Sequence, residues 1–330
     1  MKKVLKILLI SILSVFTAFS VIACAPENPD GKNPGLQYKK EDGVYVVTDY
    51  NGTETNLTID IEGATEIRIK KGAFEGNATI KNLTLTSKVV EIDEGAFAKM
   101  SALEELSVPF IGQYAKADTF FGETGSANES DKAMRKARTI GHFFGTEEYA
   151  GGASATSKYL ENASDVATTC YVPLTLKKIV VNAEQDYSIP MDAFNGFDTP
   201  QGLEVVLSNK VVAIGERAFK DSGIKNIVIP ASVKTIYANA FENSKLKTVE
   251  FATTENESII IKDSAFKGCN KMVKFGASED YKVDLSKIDS QVAGEYAFDF
   301  GSERTYEIVN AGAFADSQLA VMFGETEFSK

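Results

Sequence analysis

An Ala-Phe pair recurs eight times in the body of this chain, ending at Phe74, Phe97, Phe194, Phe219, Phe241, Phe266, Phe298 and Phe314. Five positions before the Phe stands an aliphatic residue: Ile69, Ile92, Ile189, Ile214, Ile236, Ile261 and, more weakly, Val309; Ala293 breaks the rule. A second pattern, L-x-x-L-x-L, follows most pairs, as in Ile80-Leu83-Leu85, Leu103-Leu106-Val108, Leu176-Ile179-Val181, Ile224-Ile227-Ile229 and Leu246-Val249-Phe251. Where the spacing is regular, Phe follows Phe at 22 to 25 residues. One such unit holds two short strands and their turns, too little to bury its own apolar side. Neighbouring units must stack, so that one continuous core runs the length of the array.

A period of that length carrying L-x-x-L-x-L predicts a leucine-rich-repeat solenoid, right-handed and mainly β with short helical turns. Each coil holds one strand from L-x-x-L-x-L and a shorter one from V-x-x-I, joined through the Ala-Phe turn. The pattern divides the chain into repeats at 62–110, an irregular insert at 111–172, repeats at 173–275, and degenerate repeats with a C-terminal cap at 276–330. Residues 37–61 are expected to cap the N-terminal end as a β-hairpin, with Val44–Val47 and Leu57–Ile61 as strands around Asn51-Gly52.

Residues 1–23 have the form of a leader and stand apart from the fold. Lys2, Lys3 and Lys6 precede an almost unbroken apolar run from Ile7 to Ile22. The junction Val21-Ile22-Ala23-Cys24 resembles the lipobox of bacterial lipoproteins. That resemblance implies cleavage before Cys24 and lipidation of its thiol, each buried methylene contributing about 0.8 kcal/mol to anchoring. Residues 24–36, with Pro26, Pro29 and Pro34, read as a tether that has almost nothing to bury.

Residues 62–110 and 173–275 resemble BspA-type leucine-rich repeats, most closely at Ile229-Pro230-Ala231-Ser232-Val233-Lys234-Thr235-Ile236 before Ala240-Phe241. The insert fits the resemblance, opening at Val108-Pro109-Phe110-Ile111-Gly112 and closing at Tyr171-Val172-Pro173. The resemblance implies a lipid-anchored protein on the cell surface that recognises an extracellular protein or glycan. A structural spacer in the envelope is the alternative, with a hydrolase ranked below both. The domain is expected to be monomeric.

Little in the residue inventory suggests catalysis. The net charge is −11 with no strong basic block, which argues against nucleic-acid binding. Lys132 to Arg138 is expected to be a solvated helix face. His142 is the one histidine, and its Gly141 and Phe143 neighbours suggest a buried turn rather than a general base. Zinc would need three or four Cys, His or carboxylate ligands, and no calcium-loop or phosphate-loop spacing occurs. No cofactor is expected. Cys170 and Cys269 are separated by about four coils, roughly 20 Å at a strand spacing of about 4.8 Å, so both are expected as free, buried thiols.

Two sets of residues are candidates for partner binding. In the insert they are Tyr114, Phe120, Phe121, His142, Phe143, Phe144 and Tyr149, an aromatic cluster in a long irregular excursion. On the sheet they are the residues alternating with the buried positions: Asn82, Thr84, Glu105, Ser107, Lys178, Asn226, Thr248 and Glu250, with Val180 and Val228. The insert is expected to supply the anchors, because the strand residues lack the Tyr, Trp and Arg that dominate hot spots.

Overall fold

The computed structural model describes residues 33–115, 135–161, 164–252, 258–276, 282–301, 307–312 and 314–324. The leader, Cys24, most of the tether, Phe120, Phe121 and the acidic stretch 123–131 lie outside them. The chain winds into a solenoid whose coils each lay down two parallel strands. L-x-x-L-x-L segments build the first strand row: β3 (Asn56–Ile59), β5 (Asn82–Leu85), β7 (Glu105–Val108), β10 (Lys178–Val181), β12 (Glu204–Leu207), then β14 (Asn226–Pro230), β16 (Thr248–Ala252), β18 (Lys274–Phe275), β19 (Lys282–Asp284) and β21 (Glu307–Val309). V-x-x-I segments build the second: β4 (Ile67–Ile69) and β6 (Val89–Ile92), then β11 (Tyr187–Ile189), β13 (Val211–Ile214), β15 (Thr235–Ile236), β17 (Ile259–Ile261) and β20 (Ile288–Ala293). Register is in phase, Leu57 beside Leu83 and Ile227 beside Val249, so apolar residues stack on apolar and the core is continuous.

The Ala-Phe turns form the third side and hold the stack twice over. Backbone bonds climb from coil to coil, Phe194 N–H to Ala218 C=O at 2.6 Å, Phe219 to Ala240 at 2.6 Å, and Phe241 to Ala265 at 2.7 Å. Inside them Phe194, Phe219, Phe241 and Phe266 stack nearly parallel, with centroids 4.8, 5.1 and 4.8 Å apart. At the C-terminal end the rings reach helix α1 (Asp316–Phe323), where Phe323 lies 5.4 Å from Phe298, and Gly324 ends the helix in the left-handed region at φ 68°.

The N-terminal cap differs from the expected hairpin. Strands β1 (Leu36–Glu41) and β2 (Val44–Tyr50) pair antiparallel around Asp42-Gly43, both at positive φ (48° and 88°), the geometry a two-residue hairpin turn requires. Asn51-Gly52 is not the hairpin turn, and β3 leaves the cap to become the first strand of the solenoid row. Gly52 is needed for another reason: a Cβ there would sit 2.4 Å from the Pro34 carbonyl oxygen.

The insert is partly woven into the stack. On the first row β7 pairs directly with β10, and the described residues between them add no strand there. On the turn side Ile140–Phe143 forms a 3-10 turn in the place of an Ala-Phe turn. Gly95 N–H bonds the His142 carbonyl (2.9 Å), Phe97 N–H the Phe143 carbonyl (3.0 Å), and Ile140 N–H the Ala193 carbonyl (2.7 Å). Strands β8 (Gly152–Glu161) and β9 (Ser164–Pro173) then form a ten-residue antiparallel ribbon that lies against this turn side.

Candidate functional site: a groove on the strand face

Of the strand-face candidates, Asn226 and Glu250 are exposed, and Asn82, Thr84, Glu105, Lys178 and Thr248 are partly exposed. Several engage each other across strands. Asn82 Nδ2 donates to Asn56 Oδ1 (2.5 Å), Thr248 Oγ1 donates to Asn226 Oδ1 (2.7 Å), and Lys178 Nζ lies 3.3 Å from Glu105 Oε2. Such surface ion pairs are worth about 0–1 kcal/mol and leave the groups accessible. Ser107 corrects the expectation: it is buried, because its short side chain sits between the in-register Thr84 and Val180.

The insert aromatics correct it further. His142, Phe143 and Phe144 are buried and cannot meet a partner. Phe143 packs 5.6 Å from Phe97 as a member of the spine, and Phe144 stacks 6.4 Å from Phe197. His142 Nε2 lies 3.0 Å from the Ile92 carbonyl oxygen, which fixes it as donor, and burial pushes its pKa below the ordinary value. Tyr149 is half-buried over Gly152, with its hydroxyl pKa raised to about 12 by desolvation. Tyr114 alone of the described insert aromatics is exposed, at 44%. Arg135, expected in a solvated helix face, is buried and donates to the Leu160 carbonyl at 2.9 Å.

The strand face carries a groove of about 590 Å³ centred on β12, β14 and β16, in the range that small ligands occupy. Its position follows from a lapse in the sheet. Most described neighbouring pairs in this row are joined by a ladder of two or more residues, but β12 and β14 share a single bridge, Leu203 with Ile224, and β18 and β19 pair in parallel only at Phe275 with Val283. The second row runs unbroken through the same coils, β11 to β13 to β15. Leu203-Glu204-Val205-Val206-Leu207 is one residue short of L-x-x-L-x-L, yet Val205 and Leu207 keep register with Ile179 and Val181 of β10, so the lapse lies on the β14 side alone. At the seam Val206 and Val228 stand exposed at 38% and 50%. Lys225, Glu204 and Glu250 surround them. Gly202 leaves room for Lys225 to lie across the seam, since a Cβ there would be 2.7 Å from its Nζ. Neither Lys225 nor Glu204 has an ion-pair partner among the described residues, and Glu250 meets Lys274 only at 3.9 Å.

The family model described as BspA-type leucine-rich repeat region matches residues 51–128 and 170–292, in six copies. The chain belongs to that family. Among solved structures, a T. pallidum leucine-rich-repeat protein is 16% identical, with 76% of this chain and 82% of that one covered at TM-score 0.30. A leucine-rich cell surface protein of Faecalibacterium prausnitzii is 16% identical over 79% and 71% (TM-score 0.31), and a leucine-rich-repeat protein of Bacteroides ovatus 18% identical over 81% and 79% (TM-score 0.22). No curated protein matches the chain.

In this BspA-type solenoid several ionisable groups away from the groove serve the scaffold. Buried Arg217 joins Asp192 (3.0 Å) and Asp165 of the ribbon (2.6 Å), while Asp192 Oδ2 accepts the Leu160 N–H at 3.0 Å. Burial raises the Asp192 pKa, with Arg217 opposing. Lys158 adds a 2.7 Å pair with Asp221, so the far half of the ribbon is clamped to the turns of two coils. Cys170 and Cys269 are free and buried, each pKa pushed up to about 12 by desolvation. Among the described residues no cluster of His, Cys, Asp or Glu could hold a metal ion, and no helix is long and apolar enough to cross a membrane.

Proposed function

We propose that this protein is a membrane-anchored, surface-displayed binding protein without catalytic activity, whose solenoid presents the seam groove to an extracellular protein or glycan. Cys24 carries the lipid and residues 25–36 hold the domain off the membrane. The observation that carries the binding reading is the groove itself. Two exposed valines lie beside Lys225 and Glu204, which have no ion-pair partner among the described residues, on a face where Lys81, Lys177 and Lys178 pair with glutamates across strands. Membership of a repeat family with a wide, rigid strand face supports it. The insert contributes mainly by stiffening the turn side, since its buried aromatics are committed to packing.

The test uses protein lacking residues 1–24, fluorescently labelled, on arrays of matrix proteins and of glycans. Wild type should give discrete positives that are lost in Val206→Asp/Val228→Asp, a variant at exposed positions that should keep its circular dichroism. Positives unaffected by the variant, or none on either array, would remove the groove as the binding site.

A further inference from the structure

Resting on that reading and narrowing it, we infer that the groove takes an extended polypeptide segment, rather than a glycan, bearing an acidic, an aliphatic and a basic side chain. Three features lead there. The lining contains no Phe, Tyr or Trp. A sugar ring would therefore find no aromatic face to stack on, whereas the exposed Val206 and Val228 offer an aliphatic floor whose cover by aliphatic side chains is favourable at about 25 cal/mol per Å².

The second feature is charge. Lys225 has no carboxylate partner among the described residues and immediately precedes β14. Glu204 is likewise unpaired, and Glu250 stands beside Val228 in register. An anion facing Lys225 and a cation facing the two glutamates would both be matched, which a neutral glycan does not do and an ordinary mixed-charge peptide does. Third is spacing. Lys225 and Val228 are three residues apart on an extended strand, about 10 Å at roughly 3.3 Å per residue. Extended peptide has the same rise, so an acidic and an aliphatic residue two to four positions apart can reach both.

The probes are N-acetylated, C-amidated nonapeptides on an array, each holding one Glu, two adjacent Leu and one Lys in all orders and spacings, with peptides lacking each feature as controls. The protein is the same chain lacking residues 1–24. Binding is expected to peptides holding all three features, and to fall at least tenfold with Val228→Asp. Lys225→Glu should abolish the requirement for Glu and select a second Lys in its place. A signal on the glycan array that Val228→Asp removes, with no peptide bound, would overturn this inference and leave the groove as a binding site. Peptide binding indifferent to both variants would overturn the inference and the groove together.

Discussion

Replacing Phe219 with Ala tests the architecture where it is most ordered. The ring is fully buried and lies between Phe194 at 4.8 Å and Phe241 at 5.1 Å, with interplanar angles of 7° and 2°. Phe-to-Ala truncation in a core costs about 3–5 kcal/mol through lost transfer energy and a residual cavity. Here the cavity cannot close easily, because the 2.6 Å turn bonds on either side hold the coils at fixed separation. Two aromatic contacts, each worth about 0.5–1.5 kcal/mol, are lost as well. We therefore expect a loss at the upper end, about 4–5 kcal/mol, measured by urea unfolding with circular dichroism on protein lacking residues 1–24. In a solenoid each coil contacts only its neighbours, so the weakened interface should also divide the cooperative unit and lower the denaturant slope. Val228→Ala, at an exposed position, should change stability by less than about 0.5 kcal/mol. A loss below about 1 kcal/mol for Phe219→Ala with an unchanged slope would refute the continuous spine.

Three further outcomes follow from individual groups. Labelled palmitate should enter the full-length protein in a bacterial host and fail to enter Cys24→Ala; label retained in the variant would end the lipidation proposal. Thiol labelling at pH 8 should be slow at Cys170 and Cys269 in the native protein, whose pKa values stand at about 12, and fast in urea; rapid native labelling would place those thiols outside the core. Burial lowers the His142 pKa below 6.5, so its contribution to stability is complete above 6.5 and is lost as pH falls through the lowered value. Wild type should therefore lose more stability than His142→Gln between pH 6.5 and 5, and identical profiles would contradict the buried, neutral imidazole.

Much of the fold is written in period and residue type. The Ala-Phe spacing locates the spine from Phe74 to Phe298, and strand alternation gives the outward residues apart from Ser107. What escapes the pattern does so for physical reasons. Strand β12 is hidden because Leu203 begins a segment one residue short of the pattern, although its last four residues still pair in register with β10. The cap hairpin turns at Asp42-Gly43 rather than Asn51-Gly52, two dipeptides with equal local preference that only tertiary packing distinguishes. The coil formed by Ile140–Phe143 carries a Phe but Gly141 and His142 where Ala would stand. Gly141 is dictated by the ribbon, since a Cβ there would be 2.8 Å from Ser157 Oγ, a contact invisible from either segment alone. Clustered aromatics in the insert look alike whether they form a core or a surface, and burial alone separates Phe143 and Phe144 from Tyr114.

Hydrogen–deuterium exchange on the wild-type protein, with and without the strongest hit from the arrays, tests the central claim directly. Bound ligand should slow exchange at the seam, in residues 203–207 and 224–230, and leave the ribbon at 152–173 and the region of Tyr114 unchanged. Protection confined to the ribbon or to Tyr114, with the seam unaffected, would place recognition in the insert and contradict the account.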